Sequence, residues 1–405
     1  MRAFRLLPLL AIALLGAAGV ASAQLLPGGV APSLPSIPDV ARPVTGAVRV
    51  VAGSPLVDAP LDAVRRIQVR ELLRSERVRV DLDPLGEPIL RGEFLAMGLD
   101  TASTDAVRAA GFDVVRTAEE GDALGIEIVV LRDTRRRDAG RALRALREAA
   151  PQAEFTFQHI YLPAGTATGT PTVTASSAAS PTLRVGLVDG GVDAAAVPGM
   201  RVNRHGCEGR AIAQAHGTAV AARLASNARG TLYVADLWCG DRVGRATLGL
   251  VEALGWMARE RVPVVNVSLV GADNPVLARA VKAMVDRGHV IVAAVGNDGP
   301  AAPPLYPAAY AGVIGVSGVD AKLRVLPEAG SGPQVDFSAP GIAGTRLRGT
   351  SFAAPIVARA AAELLREPSV PEARDVQRRL AARARDLGRP GRDARYGEGL
   401  IAVVF

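Results

Sequence analysis

From residue 182 onward the chain repeats one unit: a short apolar, β-branched run followed by a helix-forming stretch. Strand candidates begin near residues 184, 231, 263, 289, 312 and 334, and helix candidates near 216, 246, 274, 351 and 371. The strand runs show no polar alternation; Val185-Gly186-Leu187-Val188 and Ile291-Val292-Ala293-Ala294-Val295 are apolar throughout. Strands buried on both faces read this way, and the helices between them serve as crossovers between parallel neighbours. Residues 182–405 are therefore expected to form an α/β domain built on a doubly wound, mainly parallel sheet. Such sheets collect their reactive side chains at the carboxyl edge of the strands.

Three polar residues fall at that edge. Asp189 ends the first apolar run and precedes Gly190-Gly191. His216 heads the small-residue helix His216-Gly217-Thr218-Ala219-Val220-Ala221. Ser351 lies in Gly349-Thr350-Ser351-Phe352-Ala353-Ala354-Pro355, between a glycine turn and a helix-forming run. A serine there sits in the positive field of a helix start, beside unpaired N–H groups that can stabilise an oxyanion. Gly349 permits another backbone to approach closely, and Pro355 falls where a missing N–H costs little. Taken alone, the segment reads equally well as an ordinary serine N-cap. The order Asp, His, Ser decides between the two readings, because it is one of the recurring orders of a serine-nucleophile triad.

These segments resemble the Asp, His and Ser signatures of the subtilisin-like serine proteases (subtilases). A fourth, Ile291 to Gly299, resembles the strand and loop that carry the family's oxyanion asparagine. The resemblance spans roughly residues 181 to 403, including Tyr306-Pro307 and Gly397-Glu398-Gly399-Leu400-Ile401. It implies a triad of Asp189, His216 and Ser351, with Asn297 donating to the oxyanion. It also implies that Ser268, Leu269, Val270, Val295 and Gly296 border the substrate, which would be a protein or peptide. Two departures stand out. The family usually has Ser or Thr where Gly190 stands, and glycine and alanine where Val270 and Val295 stand. The two valines would narrow the primary specificity pocket toward small or modest aliphatic side chains. The loop from Gly344 to Gly349 is also short for the family. A rival reading is a non-catalytic exported binding protein on the same scaffold. An esterase of the α/β-hydrolase type is disfavoured, since Gly349 to Ala353 lacks the second glycine of Gly-x-Ser-x-Gly and the order of the triad is wrong.

The N-terminal part reads as four pieces. Residues 1–23 have the basic start, apolar stretch and Ala21-Ser22-Ala23 exit of a secretory leader, too short for a membrane anchor. The expected address is therefore periplasmic or secreted, with no stable span once the leader is gone. Residues 24–80 comprise a Pro/Ala-rich tether and an Arg-rich stretch with no assigned role. Residues 81–162 show the strand and helix order βαββαβ, a small α+β ferredoxin-like layout. That layout resembles the subtilase prodomain, implying an intramolecular chaperone and inhibitor. Residues 163–181, rich in Thr, Ala, Gly and Ser, read as the linker in which the chain cleaves itself.

Export makes a disulfide permissible, and Cys207 and Cys239 are the only cysteines. A bridge between them would stabilise by roughly 3–4 kcal/mol in the chain-entropy model; the alternative is two free thiols. The net charge of +7 is almost entirely arginine. Arg135-Arg136-Arg137 has no interleaved aromatics, so it reads as a solvated loop and not as a nucleic-acid surface. His159, His205 and His289 show no metal-ligand spacing. Subtilases often hold structural calcium, but no Asp-rich loop here identifies a site, and no cofactor is required for triad chemistry.

Overall fold

A computed structural model describes residues 63–118, 123–167, 181–344 and 347–402. The expected leader, the tether up to residue 62 and most of the expected linker (168–180) lie outside the described residues. The charged stretch near residue 65 is a helix, α1 (Ala63–Ser75). An antiparallel sheet follows, made of β1 (Val80–Leu82), β2 (Pro88–Met97), β3 (Phe112–Ala118), β4 (Ile128–Asp133) and β5 (Glu154–His159). Two helices cover it, α2 (Thr101–Ala109) and α3 (Ala139–Ala149), each started by an aspartate cap. Asp100 accepts from Ser103 N at 2.7 Å and Asp138 from Arg141 N at 2.9 Å.

β2 is central in this sheet, flanked by β4 and β5, with β3 beyond β4. This is the ferredoxin-like arrangement that the order of elements implies. Its core gathers Phe94, Phe112, Leu131, Leu146 and Phe157 between sheet and helices. α3 turns Leu143 and Leu146 inward and leaves its arginines facing water, as its apolar spacing requires.

The chain does not become a free linker after β5. Two short strands, β6 (Leu162–Pro163) and β7 (Thr166–Ala167), leave the antiparallel sheet and pair with the next region. That region is built on seven parallel strands, β8 (Thr182–Asp189), β9 (Met200–His205), β10 (Arg229–Asp236), β11 (Val264–Val267), β13 (Val290–Ala294), β14 (Val313–Val319) and β15 (Phe337–Pro340). Three further two-residue strands are β12 (Leu269–Val270), β16 (Ile342–Ala343) and β17 (Leu347–Arg348). The order across the sheet is β15-β14-β13-β11-β8-β10-β9, all parallel. The edge strand β9 has no counterpart among the sequence expectations. Its residues Arg201, Asn203 and Arg204 break the apolar pattern, as an edge position allows.

Helices lie on both faces. On one, α4 (Ala215–Leu224), α7 (Ala354–Leu364) and α8 (Val370–Ala381) bury Val220, Leu224, Val357 and Leu380 against the sheet. On the other, α5 (Ala246–Arg259) and α6 (Pro275–Asp286) bury Leu250, Leu254, Leu277 and Met284. The β–α alternation read from the sequence thus closes into a doubly wound sheet, with the carboxyl ends of β8, β11 and β13 side by side. Cys207 and Cys239 are joined in a disulfide beside the carboxyl ends of β9 and β10. Among the described residues, no helix is long and apolar enough to cross a membrane.

Candidate active site

Asp189 is the last residue of β8 and is 1% exposed. Its Oδ1 lies 2.9 Å from His216 Nδ1 and accepts from Gly190 N at 2.7 Å. His216 is in the first turn of α4, with Nε2 3.0 Å from Ser351 Oγ. Ser351 lies in the 3₁₀ turn Thr350–Phe352 that runs into α7. Three residues separated by 27 and then 135 positions of sequence therefore form one hydrogen-bonded line. Glycines make the approach of these elements feasible. A methyl on Gly217 would run into the carbonyl of Gly190, so α4 rests directly on the turn after Asp189.

The absence of a hydroxyl after Asp189 has a local explanation. A side chain on Gly190 would collide with Gln214, the N-cap residue of α4, whose amide fills that space. Here Gln214 occupies the volume into which a side chain at 190 would point.

Asn297 stands just past β13. Its Oδ1 accepts from Thr350 N at 3.0 Å, which fixes the amide so that Nδ2 faces the cleft. Nδ2 donates to the carbonyl of Ala164, and Ser351 N donates to the same oxygen at 2.9 Å. Two donors thus converge on one carbonyl beside Ser351 Oγ. Thr350, which the sequence reading passed over, orients the asparagine with its N–H and accepts from Gly296 N through Oγ1 at 3.2 Å.

The segment Tyr161 to Ala167 runs through this cleft as two short strands, β6 and β7, joined at Ala164–Gly165. β6 pairs antiparallel with β12, placing Pro163 opposite Leu269 and Leu162 opposite Val270. Ala164 N donates to Ser268 O at 3.1 Å. Past the converging donors, β7 pairs antiparallel with β17, and β17 with β16. Tyr161 packs its ring on the bare α-carbon of Gly271 and donates its hydroxyl to Ala272 O at 2.9 Å. Burial pushes that hydroxyl's pKa up, so it remains a donor. Gly349, at φ +135°, has Gly165 Cα and Ala164 O within 3 Å of where a Cβ would stand (2.7 and 2.8 Å). A glycine is required there because this segment crosses it.

The residues expected to border a substrate divide into two groups. Ser268, Leu269 and Val270 flank the segment through β6, and Ser268 Oγ also donates to Ser351 O at 3.0 Å. Ala164 and Val270 share one hydrophobic cluster with Leu305, whose Cδ1 sits where a side chain on Gly296 would go. Val295 belongs to the cluster on the opposite face of the sheet, with Leu269 and Val335. Leu305, ten residues downstream of Val295 and with no sequence signal of its own, is the apolar residue next to Gly296 on the cleft side.

Other charged groups nearby are structural neighbours of the triad residues. Asp236, beside Asp189 in register, accepts from Trp238 N and Cys239 N, both at 2.9 Å. Burial pushes its carboxyl pKa up, with the charge of Asp189 adding to that, while the two N–H groups oppose it. Arg223 of α4 donates to Phe352 O and Pro340 O, both at 2.7 Å, linking the histidine helix to the serine turn. Its burial pushes the guanidinium down to about 10. Cys207, Asp236 and Cys239 are the one grouping of metal-ligand types among the described residues, and the two sulfurs are bonded to each other.

Residues 199–399 match the sequence profile of the subtilase family. Subtilisin DY of Bacillus licheniformis is 31% identical over 254 residues, covering 55% of this chain and 89% of that protein. The minor extracellular protease Epr of Bacillus subtilis (strain 168) is 38% identical over 174 residues, 40% of this chain and 27% of Epr. The chain thus spans about a quarter of Epr but most of subtilisin DY. Among solved structures, fervidolysin from Fervidobacterium pennivorans shares the fold, with a TM-score of 0.62 at 18% identity over 80% of this chain and 61% of that one. The chain belongs to the subtilase family, the subtilisin-like serine proteases.

Proposed function

We propose that this protein is an exported serine endopeptidase, made as a precursor that cuts its own Ala164–Gly165 bond. The observation that carries this reading is the Ala164 carbonyl, held by Ser351 N and Asn297 Nδ2 beside a Ser351 Oγ that is hydrogen-bonded to His216. In the reaction Ser351 Oγ attacks the Ala164 carbonyl carbon while His216 Nε2 takes the hydroxyl proton. Asp189 holds the Nδ1–H tautomer and balances the imidazolium. The oxyanion forms between the two donors, which are aimed in advance at that oxygen. Collapse breaks the C–N bond, and His216 passes its proton to the leaving nitrogen of Gly165. Water then attacks the Ala164 ester by the same path, leaving a carboxylate on Ala164 and free Ser351.

The cleaved product still has β6 paired to β12 and Tyr161 seated on Gly271, so residues 63–164 act as an inhibitor until they dissociate. α1 adds to that hold: Val69 and Leu72 share a cluster with Leu162 and Val243, and Arg65 pairs with Asp298 at 3.6 Å. Ala164 before the scissile bond agrees with a pocket that takes small side chains. The leader-like residues 1–23 and the Cys207–Cys239 bridge support export to an oxidising compartment.

The test is fluorophosphonate labelling of secreted wild type and Ser351→Ala, read beside N-terminal sequencing. Wild type should label and yield a new terminus at Gly165, and the variant should do neither. A wild-type protein that stays intact and unlabelled would refute the reading.

A further inference from the structure

The residue just after the proposed scissile bond is held far more tightly than the proposed chemistry demands. Gly165 has no room for a side chain. A Cβ built on it would fall against Ser351 Oγ, 2.9 Å from Phe352 Cε2 and 3.1 Å from the carbonyl oxygen of Arg348. The hydroxyl can rotate away, but the other two walls are fixed. Phe352 is fully buried, and its ring lies 5.3 Å, centre to centre, from the ring of His216. Moving it would disturb the imidazole. The Arg348 carbonyl belongs to backbone held on the enzyme's own side by β16 and by the bond from Gly349 N to Gly341 O at 3.0 Å, while β7, its other neighbour, continues the segment that carries Gly165. The Arg348 side chain is itself tied to Glu328 at 2.6 Å. Overfilling a close-packed site of this kind displaces side chains or backbone, and the substrate must bear that cost at the reacting bond.

We infer that Phe352 and the Arg348 carbonyl form a glycine filter on the leaving-group side of the cleft. The enzyme is then a site-selective processing protease. Its substrates are extended segments in which a small residue is followed by glycine, with the next residues free to pair as a strand against β17. Phe352 is a specificity-determining residue in this account, acting on the position after the bond. The inference rests on the endopeptidase reading above.

The experiment uses the full chain, secreted and allowed to mature, with peptides spanning Tyr161 to Ala167 in which Gly165 is kept or replaced by Ala, Ser or Val. Replacing glycine by alanine should lower kcat/KM by roughly 10–100-fold, and valine should lower it further. The precursor carrying Gly165→Ala should mature more slowly by a similar factor. Phe352→Leu removes the Cε2 wall with little loss of volume, and should bring the glycine and alanine peptides to within a few-fold of each other. The wild-type peptide series stands alone if that variant fails to fold. A protein that labels with fluorophosphonate yet cuts the glycine and alanine peptides equally well overturns the filter and leaves the endopeptidase intact. A protein that does not label overturns both.

Discussion

The two sheets of this protein contribute to one cleft in opposite ways. The parallel sheet points seven carboxyl ends in one direction, so Asp189, Asn297 and the loop before Ser351 arrive at a common edge. The antiparallel sheet has no such edge, because its neighbouring strands run in opposite directions. It offers a platform instead. Its last strand, β5, runs on through His159 and Ile160 into the extended segment that lies across Ser351. Buried polar contacts hold that platform down: Asn274, the N-cap of α6, donates to Phe157 O at 3.0 Å and lies 3.0 Å from His159 Nδ1. Under the proposed function, chemistry therefore belongs to the parallel region, whereas placement of the proposed scissile bond belongs to the antiparallel one.

That division can be broken by variants that strike one region and spare the other. The largest effect is expected from Leu146→Ala, which empties the centre of the core under the antiparallel sheet, the proposed prodomain. It should destabilise the uncleaved Ser351→Ala precursor's prodomain by about 2–5 kcal/mol, seen as an earlier urea transition. Enzyme that has already matured should keep its kcat/KM, and a matching loss there would end the comparison.

Asn297→Ala is the converse. It should slow self-cleavage and peptide hydrolysis by roughly 10²–10³, the usual weight of one such donor, with the urea midpoint little changed. Replacing Cys207 and Cys239 together by serine should cost about 2–4 kcal/mol of stability, confined to the parallel region and read by calorimetry of mature enzyme.

The smallest effect is a pH dependence of the prodomain. Burial alone would raise the carboxyl pKa of Asp83, but the hydrogen bond with His159 and the N–H groups of Glu87 and Leu85 outweigh it and hold it below 3.8. A carboxyl lowered by folding adds stability above its unfolded value, and this is lost as pH falls through the folded one. Prodomain dissociation from the cleaved complex should therefore quicken below pH 3.8, and Asp83→Asn should flatten that rise.

Much of the site was legible before any coordinates. Asp189, His216 and Ser351 each sit at the end of a strongly patterned element, and such elements carry their own signal in apolar runs and helix formers. The antiparallel domain was legible for the same reason, down to the inward Leu143 and Leu146 of α3. The start of the expected linker differs in the structure. Residues 162–163 and 166–167 are paired strands on either side of a bend, because main-chain pairing with a distant partner leaves no mark on composition. The role of α1 was hidden too, since its apolar residues are interleaved with four arginines and a glutamate, and Leu162 and Val243, which Val69 and Leu72 meet, lie far away in sequence.

By itself, the sequence determined the main strands and helices and their order, the edge strand β9 and the short strands β6 and β7 apart, and hence the parallel sheet, its reactive edge and the Asp, His, Ser order along it. Local periodicity and capping are properties of neighbouring residues, and they survive in a one-dimensional record. Only the tertiary structure decided that Ala164 is the carbonyl held beside Ser351, that Gln214 fills the space at Gly190, and that Leu305 stands beside Gly296. It alone set Phe352 and the Arg348 carbonyl against Gly165. These are matters of volume between segments far apart in the chain, where a few tenths of an ångström separate contact from collision, and close packing settles them only once the chain has folded.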